Sequence, residues 1–146
     1  MDTLSFLLAV DGSDASCGTV DHVIRRLGWY KPPVEIQLLN VQLPILSGNV
    51  KSFIRRDQLE EYYRDEGHAA LKAARERLDN AGAQYAFHIG TGAPAEVIVE
   101  YAKRLHCDQI CIGTRGRGSV AGLLLGSVAT KVIHLAPCPV LLVRGC

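Results

Sequence analysis

Residues 113–127 read Gly-Thr-Arg-Gly-Arg-Gly-Ser-Val-Ala-Gly-Leu-Leu-Leu-Gly-Ser, a glycine-rich segment between an apolar run and a helical pattern. Its chemistry is that of an anion cradle. Main-chain N–H groups can close on a phosphate only where no β-carbon intervenes, and the first amides of a following helix add unpaired donors at the positive end of its dipole. From Gln109 to Cys146 there is no Asp or Glu, whereas Arg115, Arg117, Lys131 and Arg144 supply positive charge. That imbalance favours an anionic ligand.

Two general phosphate motifs can be laid over the segment, and each lacks a residue its chemistry needs. Gly113 and Gly118-Ser119 have P-loop glycine spacing, but Ser119 stands where the phosphate-binding lysine belongs. Gly116-x-Gly118-x-x-Ala121 fits the dinucleotide fingerprint, yet the acid expected about twenty positions later, to hold a ribose hydroxyl, is missing from the acid-free tail. Efficient P-loop hydrolysis and nicotinamide chemistry are therefore not expected. No Gly-x-Ser-x-Gly elbow presents a nucleophilic serine. His22, His68, His88, His106 and His134 form no close pair and read as surface or partly buried side chains.

The elements that must hold this segment follow from the hydrophobic pattern. Leu4 to Val10 is a nearly continuous apolar run stopped by Asp11-Gly12-Ser13, the mark of a strand buried on both faces. Ser13 or Asp14 caps a helix with apolar positions Cys17, Val20, Val23, Ile24 and Leu27, ending near Gly28. Val34 to Val41 is a second strand. Residues 42–56 read as a long loop, a possible lid over a ligand. From Asp57 to Asn80 apolar residues recur at intervals of three and four, ending at Ala81-Gly82.

Gln84 to Ile89 alternates in polarity and reads as an edge strand. Thr91-Gly92-Ala93-Pro94 opens a helix, with Val97, Ile98, Tyr101, Ala102 and Leu105 on its core face. Asp108 to Gly113 is a fourth strand, Ser127 to Leu135 a helix stopped by Pro137, and Val140 to Val143 the last strand. Ser127 alone has the simpler reading of a helix N-cap, and Asp11 that of an Asx-turn residue before Gly12. Strict alternation of strand and helix implies right-handed crossovers. The expected fold is a single-domain α/β protein with an open parallel five-stranded sheet, order 3-2-1-4-5, and helices on both faces. Strands 1 and 4 then meet at the switch point, where open α/β sheets bind ligands beyond the carboxyl ends of their strands. Asp11 and Gly113 both fall there.

Bulk properties narrow the class of partner. At 146 residues, 48% hydrophobic, 21% charged and a formal net charge of +1, the chain has the make-up of one soluble domain spanning residues 1–146, with no electrostatic case for nucleic acid or an anionic membrane. Phe6 to Val10 is too short to span a bilayer and no secretory pattern precedes it. Five cysteines, Cys17, Cys107, Cys111, Cys138 and Cys146, sit in apolar or structured surroundings with no complementary zinc ligands, as reduced thiols of a cytoplasmic protein would.

One pattern fits in full: Gly113, two residues, Gly116, nine residues, then Gly126-Ser127. With Leu8-Ala9-Val10-Asp11-Gly12-Ser13, Leu39-Asn40-Val41, Gly92-Ala93-Pro94-Ala95-Glu96-Val97-Ile98 and Pro137-Cys138-Pro139-Val140-Leu141-Leu142-Val143-Arg144, the chain resembles the universal stress protein family over its whole length. The resemblance implies an adenine nucleotide alpha hydrolase-like, Rossmann-like fold, and the branch of the family that binds ATP. It implies that Ala9 and Val10 line the base pocket, that Val41 meets adenine through its backbone and side chain, and that Asp11 bonds the ribose or lies near a phosphate-bound divalent cation. Ile112 joins the contacts, Gly113 passes beside the ribose, and Arg115, Gly116, Gly126, Ser127 and Val128 surround the phosphates. Arg115 stands where that branch often has histidine, which keeps a charged donor and removes a titratable one.

The expected ligand is thus ATP, or ADP or AMP, with Mg or Mn as a companion ion, held as a structural or signalling ligand in a stress-response homodimer. A slow ATPase or phosphotransferase is the alternative, with Asp11 as its evident base. A nucleotide-free structural dimer is another. Val140, Leu141, Leu142 and Val143 would form a flat apolar edge if exposed, so the dimer interface is expected along strand 5.

Overall fold

Five strands, β1 (Leu4–Ala9), β2 (Val34–Gln42), β3 (Tyr85–Thr91), β4 (Gln109–Gly113) and β5 (Val140–Val143), pair in parallel in the order β3-β2-β1-β4-β5. The computed structural model describes residues 2–45, 55–114 and 125–144. Among the described residues four helices alternate with the strands: α1 (Asp14–Arg26), α2 (Arg56–Asn80), α3 (Pro94–Arg104) and α4 (Ser127–Leu135). A 3-10 turn, Leu27–Trp29, follows α1. The order expected from the sequence is the order observed, and β3 is an edge.

β1 is apolar apart from Ser5 because both of its faces are covered. Phe6, Leu8 and Val10 pack with Ile36 and Leu38 against Val20 and Val23 of α1 and Leu71, Ala74 and Leu78 of α2. Leu7 and Leu39 turn the other way, with Ile110 and Ile112, onto Ala95, Ile98 and Ala102 of α3 and Val132 of α4. A period of two along each strand thus sorts its side chains into two cores. On α3 the face is rotated from the expected one: Ala95, Ile98, Val99 and Ala102 are buried, whereas Val97, Tyr101 and Leu105 are half-buried.

Local chemistry sets the helix ends. Ser13 Oγ accepts the Ser16 N–H at 3.2 Å and caps α1. Gly82, at φ +67, closes α2 in a conformation that costs a β-carbon-bearing residue more. Pro94 begins α3, where its missing N–H would have no partner inside the helix. At the open edge of β3, Phe87 is sheltered by the Arg75 guanidinium, 4.1 Å from the ring centroid, and by the edge of His68.

The described thiols, Cys17, Cys107, Cys111 and Cys138, are unpaired. Burial pushes Cys111 up to about 11, so it is a protonated core group at neutral pH and no nucleophile.

Candidate functional site

β1 stops at Ala9, which pairs with Leu39, while β2 runs on through Asn40, Val41 and Gln42. The sheet therefore has a step at its carboxyl edge. The Val10 N–H donates to Leu39 C=O at 2.9 Å on the β1 side, and the Gly92 N–H donates to Gln42 C=O at 3.0 Å on the β3 side. Successive residues of a parallel strand turn their peptide groups to opposite neighbours, so Val41 turns its N–H and C=O as Leu39 does, past the end of β1. Asn40, buried, fixes the step: its Nδ2 donates to Val10 C=O at 2.9 Å, and its Oδ1 accepts from Gln42 Nε2 at 2.7 Å.

A cleft of about 800 Å³ opens over this step, within the usual range of small-molecule sites. Ala9, Val10 and Asp11 form its floor with Ile112 and Gly113. Val41 lies on the β2 side, and Gly126, Ser127 and Val128 on the β4 side. Nine of the eleven residues singled out by sequence, namely these nine, thus surround one cavity. The other two, Arg115 and Gly116, lie outside the described residues, as do residues 46–54 of the expected lid.

Asp11 has a structural role that coexists with its place in the cleft. Its Oδ1 accepts the Ser13 N–H at 2.9 Å, an Asx turn that brings Gly12 to φ +85, and its own N–H donates to Ser16 Oγ at 3.3 Å. The carboxylate is therefore held at the entry to α1, half-buried, beside the switch point.

The glycine-rich segment is clasped at its two ends. Thr114, buried, donates its N–H to Val143 C=O at 3.0 Å, and its C=O accepts the N–H of Gly126. Gly126, not Ser127, occupies the cap position of α4, so the simple reading of Ser127 as N-cap is corrected: Ser127 is the first helical residue. The reason is that Gly126 C=O already accepts the first helical bond, from the Thr130 N–H at 3.0 Å, with Thr130 Oγ1 adding a second at 2.9 Å. Glycine has no side chain to turn back, so the cap residue of α4 supplies no side-chain bond. α1 uses Ser13 to satisfy its first turn. α4 begins with glycine, and Ser127, Val128 and Ala129 of its first turn line the cleft, where helix amides can donate to an anion. An ion pair between Lys131 and Glu96 ties α4 to α3 and holds the Glu96 carboxyl below the usual range.

Several lining residues were not picked out from the sequence. Gln42, Leu43 and Ile45 follow Val41 into the cleft, Pro94 and Ile98 reach it from α3, and Tyr62, Glu66, Ala69 and Ala70 reach it from α2. Ala70 belongs to the apolar stripe by which that helix was recognised, but Tyr62, Glu66 and Ala69 lie off it, so periodicity assigns those three to solvent. Length is the clue that finds them. At 25 residues α2 is about 37 Å long, against about 20 Å for the six residues of β1, so its first turns must overhang the carboxyl edge.

An open parallel sheet wound on both faces, with a cavity at its switch point and a glycine-capped helix N-terminus on the cavity wall, defines a doubly wound α/β protein with a cleft where such sheets bind ligands. The chain belongs to the universal stress protein family, whose profile matches residues 5–144. It is 32% identical over 139 residues to universal stress protein MJ0531 of Methanocaldococcus jannaschii, covering 94% of this chain and 80% of that one. Among solved structures, the protein MJ0577, the subject of a structure-based assignment of biochemical function, superposes with a TM-score of 0.83 at 26% identity, covering 98% of this chain and 96% of that one. A universal stress protein solved in complex with cAMP superposes with a TM-score of 0.72 at 25% identity, covering 98% of each. No described helix is long and apolar enough to cross a membrane.

Proposed function

We propose that this chain binds an adenine nucleotide, ATP or its di- and monophosphate relatives, in the cleft above β1 and β4, as a structural or signalling ligand. One observation carries the reading: a main-chain donor and acceptor, on Val41, stand at one end of the cleft, and the glycine-capped first turn of α4 stands at the other. β2 and β4 flank β1, so these ends lie about 10 Å apart, a span that a ribose can bridge between base and phosphate. The cAMP complex of a relative supports an adenine ligand.

In this reading the Val41 peptide groups meet the edge of the base, with Ala9, Val10 and Ile112 around it. Asp11 and Gly113 serve the ribose. Gly126 lets the phosphate approach the backbone, and the amides of Ser127 and Val128 with the Ser127 hydroxyl receive it. Arg115 and Gly116 complete the phosphate shell from outside the described residues. A divalent ion such as Mg or Mn would find a hard oxygen ligand in Asp11. The protein would work as a cytoplasmic single-domain homodimer, joined along β5.

The test is to denature freshly purified protein, identify any released nucleotide by chromatography, and titrate stripped protein calorimetrically with ATP, ADP and AMP, with and without Mg. Release of an adenine nucleotide, or saturable binding that Ser127→Ala weakens, supports the reading. Neither release nor affinity for any of the three sinks it. Turnover above background that vanishes in Asp11→Ala while binding persists would move the assignment to a slow ATPase.

A further inference from the structure

The cleft has two walls from opposite faces of the sheet. Val41, Ile98 and Val128 belong to the core beneath α3 and α4, and they make one wall apolar. The facing wall is the overhanging start of α2, where Tyr62 and Glu66, four residues apart and so on one helical face, both reach the cavity. Neighbouring Tyr63 anchors that turn, its Oη accepting the Ile45 N–H at 2.7 Å. Tyr62, its ring 5.9 Å from that of Tyr63, is 48% exposed and lines the same cavity as Val41, Leu43 and Ile45.

We infer that Tyr62 and Glu66 are the specificity-determining residues of the cleft, Tyr62 covering the open face of the base and Glu66 accepting a hydrogen from an exocyclic amino group on its edge; this rests on the nucleotide reading above. A flat heteroaromatic ring fits between an aliphatic wall and a phenol, since every base offers a face for stacking. Among the described lining residues the charged groups are Asp11 and Glu66. A carboxylate at the β2 end repels phosphate, so it also fixes which way round the ligand lies, with its phosphates toward α4. An ionised carboxylate only accepts hydrogen bonds, so it distinguishes a 6-aminopurine from a 6-oxopurine.

The experiment is calorimetric titration of the full chain and its Tyr62→Ala, Tyr62→Phe and Glu66→Gln variants with adenosine, AMP, ATP and ITP. Tyr62→Ala should weaken adenosine, AMP and ATP by the same factor, about 5- to 150-fold, because stacking does not involve the phosphates, and Tyr62→Phe should restore binding. Glu66→Gln should narrow the preference for ATP over ITP about tenfold, because an amide can donate to the 6-oxo group. A Tyr62→Trp variant adds a readout that a structural role would not move: its new emission should be quenched by nucleotide, whereas that of Trp29, outside the cleft, should not. ATP binding unchanged by Tyr62→Ala, or an ATP-to-ITP ratio unchanged by Glu66→Gln, overturns the inference and leaves the nucleotide reading intact. A wild-type chain that binds none of these ligands overturns both.

Discussion

Gly67 of α2 sits so close to Ile89 of β3 that a β-carbon built on it would lie 2.6 Å from Ile89 Cγ2 and 2.8 Å from Cγ1 and Cδ1. The contact seats α2 directly on the edge of the sheet, and Glu66, the preceding residue, thereby reaches the cleft. Ile89 is branched at Cβ and half-buried, so it cannot turn aside cheaply.

Gly67→Ala should therefore destabilise the protein although alanine is the better helix former. Overpacking costs about 1–3 kcal/mol, and helix propensity returns at most about 1. Gly18, within α1, has nothing within 4 Å of its β-carbon position. Gly18→Ala should stabilise by about 0.5–1 kcal/mol. Urea denaturation of the two variants should move the midpoint in opposite directions, and a shift in the same direction would contradict this packing argument.

At Gly126 the prediction separates fold from ligand. Its φ of −72 and ψ of 165 suit any residue, so the backbone does not demand glycine there. Gly126→Val should fold with a melting temperature near that of the wild type and lose nucleotide affinity at least about tenfold, since the side chain would occupy the place of the phosphate. Equal affinity in the two proteins would remove Gly126 from the site.

Stability should fall in mild acid through His88. Its Nε2 lies 2.7 Å from Gln37 Oε1, while Gln37 Nε2 donates to Glu35 at 3.3 Å, so the imidazole donates from Nε2 and Nδ1 takes the extra proton. Burial, with Arg104 adding like charge, pushes this histidine below its ordinary range. The unfolded chain then binds the proton more readily, so the contribution is whole above about pH 6.5 and is lost as pH falls toward the lower folded value. Burial, with Arg26 and Arg25, depresses His22 as well. Denaturation midpoints measured from about pH 7.5 to about pH 5 should decline, with a shallower slope in His88→Gln and a residual slope from His22. An identical slope in the variant would exclude His88 as the source.

The β5 edge predicts an assembly. Among the described strands β5 pairs with β4 alone, and Ile133 and Leu135 of the adjacent α4 are 43% and 42% exposed. Sedimentation of the wild type should give a dimer, and Leu142→Lys a monomer. A monomeric wild-type chain ends this reading.

Most elements were legible in the sequence because each local preference agrees with the fold. Ser127 to Leu135 was bounded correctly by the glycine before it and Pro137 after it, and the apolar run of β1 announced a central strand. The cap of α4 was misread because serine is the better capping residue in isolation. Gly126 takes the position instead, its C=O accepting the Thr130 N–H while its own N–H bonds Thr114, a contact between residues twelve apart that no local rule contains. Tyr62 and Glu66 were missed for a related reason: their role comes from the overhang of α2, not from its periodicity.

The pairing of β1 also orders events in time. Its six residues are made before all of their partners, which are Val34–Leu39 on one side and Gln109–Cys111 on the other. A growing chain therefore carries an open central strand edge until about a hundred residues beyond β1 have followed, the kind of long-range closure that slows folding and exposes a chain to aggregation. The cleft comes into being only when that edge is closed. Any ligand bound there selects the completed sheet, so in the cell its concentration would act on how much of the newly made protein survives as well as on what the finished protein does.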